Sequence, residues 1–190
     1  MIKSYVIHAE SAKERKRHVD KLVQLTDATV FPAIMDNPGA RGCYLSHIEI
    51  YKINPEEPVI VFEDDCIITD PNIIKLVEWN ASNYDIIYLG VSKAWSQLLN
   101  IKINFVGLPS QTFKTNSWGT YALFVSPKVK KLVLDHDSKY GYTLPIDLLL
   151  NNIINENDLR VFIPSPIDKF VQHDNTIKSL MIISNQTQLP

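Results

Sequence analysis

Cysteine, glycine and long apolar runs are all scarce in this chain, and each scarcity excludes something. Two cysteines, Cys43 and Cys66, are too few for a disulfide framework and too far apart for a zinc knuckle, so both read as free thiols. No apolar run approaches the ~18 residues of a membrane span. The opening Met1-Ile-Lys-Ser-Tyr-Val-Ile-His8 lacks the apolar region and cleavage site of a signal peptide, so the sequence reads as cytoplasmic. Charge of one sign is missing too. With 19 Lys+Arg against 21 Asp+Glu the net charge is -2, which argues against a global electrostatic grip on nucleic acid. Repeats, low-complexity tracts and Gly/Ser linkers are absent. Residues 1–190 therefore read as a single domain, large enough to bury a core without staples.

What is present is an alternation of short β-branched runs with longer mixed segments. Ser4–Ile7 predicts a first strand, and Ser11–Leu25 a helix with Ser11 as its cap and Val19, Leu22 and Val23 at helical spacing. Val30–Ile34 predicts a short strand, Asp36–Gly39 a turn, and Gly42–Ile53 a second helix. Pro58–Phe62 is an uninterrupted apolar run that fits a strand buried on both faces. Asp70-Pro71 opens a helix through Trp79, with Asp70 as cap. Strands follow at Asp85–Gly90, Asn104–Leu108, Tyr121–Val125 and Arg160–Ile163, with helices at Ser126–Leu134 and Asp147–Ile154. This alternation indicates an α/β domain with a largely parallel or mixed sheet, whose ligands sit at the carboxyl ends of strands.

At one such end stand three adjacent carboxylates, Glu63-Asp64-Asp65. They repel one another unless solvent or a cation compensates. If the strand continues through them, alternation puts Glu63 and Asp65 on one side and Asp64 on the other. Two same-facing carboxylates suit a hard divalent cation such as Mg²⁺ or Mn²⁺, while a solvated acidic turn is the plain alternative.

The order of these blocks carries a resemblance. Gly42-Cys43-Tyr44-Leu45-Ser46-His47, followed by Val61-Phe62-Glu63-Asp64-Asp65, resembles glycosyltransferase family 25, whose pattern runs Gly-Cys-x-Leu-Ser-His and then a strand ending in Glu-Asp-Asp. Glu14-Arg15-Lys16, Phe31-Pro32-Ala33, Tyr84–Gly90, Thr120–Ser126 and Leu144-Pro145-Ile146-Asp147 resemble its other blocks in the same order. His8-Ala9 and Arg41 depart from it. The resemblance implies a GT-A type, Rossmann-like domain with a central mixed, mainly parallel sheet flanked by helices. It also implies transfer of a hexose, such as galactose, from a UDP-sugar donor to a hydroxyl of a glycan, lipooligosaccharide or protein-linked acceptor. Peripheral contact with a membrane bearing the acceptor stays open.

By the same resemblance Asp65, with Glu63 and His173, holds Mn²⁺ or Mg²⁺, and Asp147 is the general base of an inverting transfer. Arg15, Ser46, His47, Glu63 and Asp64 line the nucleotide-sugar, and Trp118, Gly119 and Thr120 the acceptor. Each has a simpler reading: a helix-start carboxylate for Asp147, a surface histidine for His173, a solvated helix face for Arg15, and core for Trp118. Cys43 reads as a small buried residue, having no basic neighbour in sequence. Two other functions stay open. Paired carboxylates at a strand end also serve Mg²⁺-dependent nucleotidyl or phosphoryl transfer, though without a P-loop here. A catalytically inactive nucleotide-sugar or glycan-binding module would keep the same fold.

Overall fold

The apolar run after Pro58 forms the middle of the molecule. The computed structural model describes residues 1–90, 119–163 and 171–173. Its strands are β1 (Lys3–His8), β2 (Thr29–Pro32), β3 (Val59–Glu63), β4 (Cys66–Ile68), β5 (Ile86–Tyr88), β6 (Ala122–Val125), β7 (Val161–Phe162) and β8 (Val171–His173). Its α-helices are α1 (Lys16–Thr26), α2 (Gly39–Lys52), α3 (Ile73–Asn80), α4 (Pro127–Tyr140) and α5 (Ile146–Glu156). Among the described residues, six strands form one sheet in the order β2-β1-β3-β6-β5-β7, and β4 pairs with β8 in a separate antiparallel ladder. The pairs β1/β2, β1/β3 and β5/β7 are parallel, whereas β6 runs antiparallel to both of its neighbours. The sheet is therefore mixed and mainly parallel, as the sequence predicts.

Both faces of this sheet are covered, which is why its central strands read as continuous apolar runs. Val59 and Val61 of β3, Ile86 and Tyr88 of β5, and Leu123 and Val125 of β6 pack with residues of α2, α4 and α5. Their alternates Ile60, Phe62, Ile87, Ala122 and Phe124 pack with Val19 and Leu22 of α1 and Ile73 and Val77 of α3. The period of two thus sorts one strand between two cores. The same parity puts Glu63, the last residue of β3, on the α2 face. Asp64, in the turn that follows, lies on the α1 face.

Local chemistry sets the helix ends. Ser126 Oγ accepts from Val129 N at 3.4 Å with Pro127 at the first position, so α4 starts where predicted but runs on to Tyr140. Its Lys130 is 1% exposed, and its ammonium donates to the carbonyls of Ile53, Asn54 and Glu57 at 3.3, 2.9 and 2.9 Å. That pins the turn between α2 and β3. Asp70 does not cap α3, because Asn72 takes that place; Asp70 Oδ1 instead accepts from Asn72 N at 2.9 Å in the preceding turn. Ser11 does not cap α1. The chain first makes a 3-10 turn at Lys13–Arg15, which swings Arg15 inward, and α1 begins at Lys16. Helix α2 begins at Gly39, inside the predicted turn. The ladder of β4 with β8 was not foreseen, and the predicted strand at 104–108 lies outside the described residues. No helix among the described residues is long and apolar enough to cross a membrane.

Candidate active site

The carboxyl end of β3 delivers the acidic residues, and three other elements converge on it. Because β6 is antiparallel to β3, the segment entering β6 lies beside the end of β3, with Glu63 N donating to Tyr121 O at 2.8 Å. Helix α5 starts at the same edge and brings Asp147. Helix α2 forms the remaining wall. The resulting cleft, about 90 Å³, is lined by Cys43, Glu63, Asp65, Gly119, Thr120 and Asp147 among others. It has room for a cation with a few waters.

Helix α2 is held in place by its own sequence pattern. A Cβ on Gly42 would stand 2.4 Å from Ile34 O and 3.0 Å from Asp36 N, so the helix approaches the 34–36 segment as closely as backbone allows. Ser46 Oγ accepts from Ile34 N at 2.8 Å and donates to Gly42 O at 2.9 Å, tying the same segment down. Tyr44 and Ile48 enter the core on that side of the sheet. With those contacts made, Cys43 and His47 both approach Glu63.

Glu63 is the carboxylate on which the polar side chains of the α2 wall and the β6 entry converge. Its Oε1 accepts from Thr120 Oγ1 at 2.6 Å, with Cys43 Sγ at 3.8 Å and His47 Nε2 at 3.6 Å. Burial pushes its pKa up, but His47 and the Thr120 hydroxyl outweigh that and bring it below the ordinary value. Asp147 goes the other way. Burial raises its pKa, helped by the charge of Glu63, and backbone N–H donation from Leu148, at 2.9 Å, and Gly119 only partly offsets this. Gly119 has φ of 108°, in the region that favours glycine, and this turn aims its N–H at Asp147. Asp147 is thus an unusually basic carboxylate at the rim, facing a more acidic one at the floor. Environments that separate two carboxyl pKa values are what acid–base assignments require.

The predicted residues that the structure describes divide into three groups. Glu63, Asp65, Gly119, Thr120 and Asp147 share the cleft. Ser46 and His47, both 0% exposed, stand behind it in α2 and hold its wall rather than line it. Asp64 and Arg15 form a separate buried unit on the α1 face: Arg15 Nη1 donates to Asp64 Oδ1, and His8 Nδ1 lies 2.9 Å from Asp64 Oδ2. Asp64 therefore fastens the acidic turn to the end of β1. The backbone of His173 pairs in register with Cys66, one residue beyond Asp65; its side chain, and all of Trp118, lie outside the described residues. Sequence reasoning passed over Cys43 as a wall residue and Tyr121 and Ile146 as lining. For Cys43 the signal was there: it precedes His47 by four residues on a predicted helix, so both share a face.

The comparisons with known proteins agree with this geometry. The chain shares its fold with a crystal structure of a glycosyltransferase involved in the glycosylation of the major capsid of PBCV-1, with a TM-score of 0.52 at 9% identity over 99% of both chains. It is similar to A197 from STIV, with a TM-score of 0.51 at 12% identity over 95% of this chain and 87% of that one. No curated protein matches it by sequence. The family model for "Glycosyltransferase family 25 (LPS biosynthesis protein)" matches residues 37–149, more than half of the chain, from the start of α2 through the acidic turn to Asp147. This chain belongs to glycosyltransferase family 25.

Proposed function

We propose that the protein is a metal-dependent, inverting hexosyltransferase that uses a UDP-sugar, with galactose the favoured hexose, and a glycan hydroxyl as acceptor. The observation that carries this reading is the convergence of Glu63, Asp65 and Asp147 on one cleft at the carboxyl edge of the sheet. Their all-oxygen donor set fits Mn²⁺ or Mg²⁺. Asp65 and Glu63 would hold the ion, with His173 a further candidate from β8. Such an ion supplies charge to stabilise the departing diphosphate.

The rest falls to the chain's own groups. Asp147 accepts the proton of the acceptor hydroxyl as its oxygen attacks the anomeric carbon and the bond from that carbon to the UDP oxygen breaks. Its raised pKa makes it a better base than an exposed aspartate. Gly119 N–H and Leu148 N–H fix its orientation. Thr120 holds Glu63 by a 2.6 Å bond, so the floor of the cleft is rigid before substrate arrives.

The test is release of free nucleotide from a panel of nucleotide-sugars with Mn²⁺ and glycan acceptors. UDP release from one donor, abolished in Asp65→Ala, is expected. Asp147→Asn should lose about 10²–10⁴-fold in rate while still binding the donor. A chain that binds no nucleotide-sugar at all refutes the proposal.

A further inference from the structure

The α2 wall of the cleft carries a donor set of different chemistry from its acidic mouth. Cys43 Sγ, a ring nitrogen of His47 and a carboxylate oxygen of Glu63 all lie within 4.8 Å of one another. Cys43 and His47 are one helical turn apart and approach the same carboxylate oxygen, Glu63 Oε1, at 3.8 and 3.6 Å. For tetrahedral zinc with Zn–S of about 2.3 Å and Zn–N and Zn–O of about 2.0–2.1 Å, those edges would be roughly 3.5 and 3.3 Å. Along those two edges the side chains need to close by only a few tenths of an ångström, within rotamer adjustment, and the third, from Cys43 Sγ to the His47 nitrogen, lies within 4.8 Å.

A second observation points the same way. His47 is 0% exposed, yet its Nε2 has no hydrogen-bond partner among the described residues and faces Glu63. Its other nitrogen, Nδ1, lies 3.3 Å from the hydroxyl of Tyr51, itself fully buried. Tyr51 Oη is placed to accept from Nδ1–H, the second-shell partner that a histidine ligating through Nε2 needs. Thr120 meanwhile fixes the Glu63 carboxylate at 2.6 Å.

We propose that Cys43, His47 and Glu63 form a zinc site in the α2 wall, with its fourth position open to the cleft. Thiolate and imidazole select zinc over Mg²⁺ and Mn²⁺, which the all-oxygen mouth prefers. Burial and nearby carboxylates keep the Cys43 thiol protonated, so zinc must displace that proton to solvent; those same carboxylates favour a doubly charged ion. The site stands independently of sugar transfer. Where Glu63 also serves the donor, as in the reading above, zinc loading withdraws it.

Cobalt titration of the intact chain tests the site directly. Co²⁺ should bind one per chain, giving a thiolate-to-cobalt charge-transfer band and the visible bands of a tetrahedral ion, both bleached by one equivalent of Zn²⁺. Cys43→Ser should abolish the charge-transfer band, and Tyr51→Phe should weaken zinc about 10–100-fold by removing the partner of Nδ1. Circular dichroism confirms that each variant is folded. A folded native chain that binds cobalt without a thiolate band places the ion in the acidic mouth and overturns the proposal. So does a band that survives Cys43→Ser, which would assign the thiolate to Cys66.

Discussion

Replacing Asp64 by asparagine separates a carboxylate that holds the fold from one that holds a ligand. The side chains of Asp64, Arg15 and His8 are 8, 4 and 10% exposed, so their pairing is made out of reach of water. An asparagine there keeps the shape but takes the carboxylate charge away from the buried Arg15 guanidinium. Breaking one side of such a pair costs about 3–5 kcal/mol, far more than the pair contributes over an apolar equivalent. For a chain of this length each kcal/mol moves Tm by about 2–4 °C, so a fall of roughly 6–20 °C is expected. The exposed Lys131–Asp135 pair, with side chains 75 and 61% exposed, is the control, and Lys131→Ala should change stability by less than about 0.5 kcal/mol. Urea and thermal unfolding followed by circular dichroism, without nucleotide, give both values. The double variant Asp64→Leu, Arg15→Met should recover most of the loss, because it removes both charges together. An Asp64→Asn loss no larger than that of the surface control would refute the reasoning and return Asp64 and Arg15 to the donor site.

Further outcomes follow from single contacts. Gly42→Ala drives a Cβ against the Ile34 carbonyl at 2.4 Å, backbone that cannot swing aside, and should cost about 1–3 kcal/mol in thermal unfolding. Lys130→Met removes the donor shared by three carbonyls and should cost about 1–3 kcal/mol, with faster amide exchange in the 53–57 turn as the readout. The raised pKa of Asp147 places the acid limb of kcat/KM above the ordinary aspartate range; a limb at or below that range contradicts its role as base. Linkage gives the matching stability signs. A raised carboxyl pKa contributes stability at low pH that is lost as pH rises through it. The lowered pKa of Glu63 contributes stability at neutral pH that is lost in acid, so Glu63→Gln should flatten the acid limb of Tm against pH.

Much of the fold was legible because its signals are local. The run at 59–62, the alternation of strands with helices, and Ser126-Pro127 each state their structure within a few residues. Parity along β3 places Glu63 on the α2 face, but the strand ends there, and it is the following turn that brings Asp65 into the cleft and leaves Asp64 on the α1 face. The α1 start was misread because Arg15 turns inward to meet Asp64, a partner 49 residues away that outweighs the local cap at Ser11. The β4/β8 ladder was missed for the same reason: a three-residue strand such as Cys66–Ile68 has no periodicity to show, and its partner lies 105 residues on. The roles of Ser46 and His47 as wall supports depend on distances that sequence does not carry.

The antiparallel β6 has a consequence for how the protein comes into being. Val59–Phe62 pairs with Ala122–Val125, so the centre of the sheet forms only by closing a loop of about 60 residues. Strands β1, β2 and β3 with α1 and α2 can gather through nearer contacts, and the distant pairing is the slower event. Until it happens, the chain carries the acidic turn and the α2 wall, but neither the Thr120 bond that fixes Glu63 nor the Asp147 that completes the cleft. With Asp147 as the proposed base, a half-folded chain holds the acidic turn without its base, and the order of assembly would itself withhold activity until the sheet has closed.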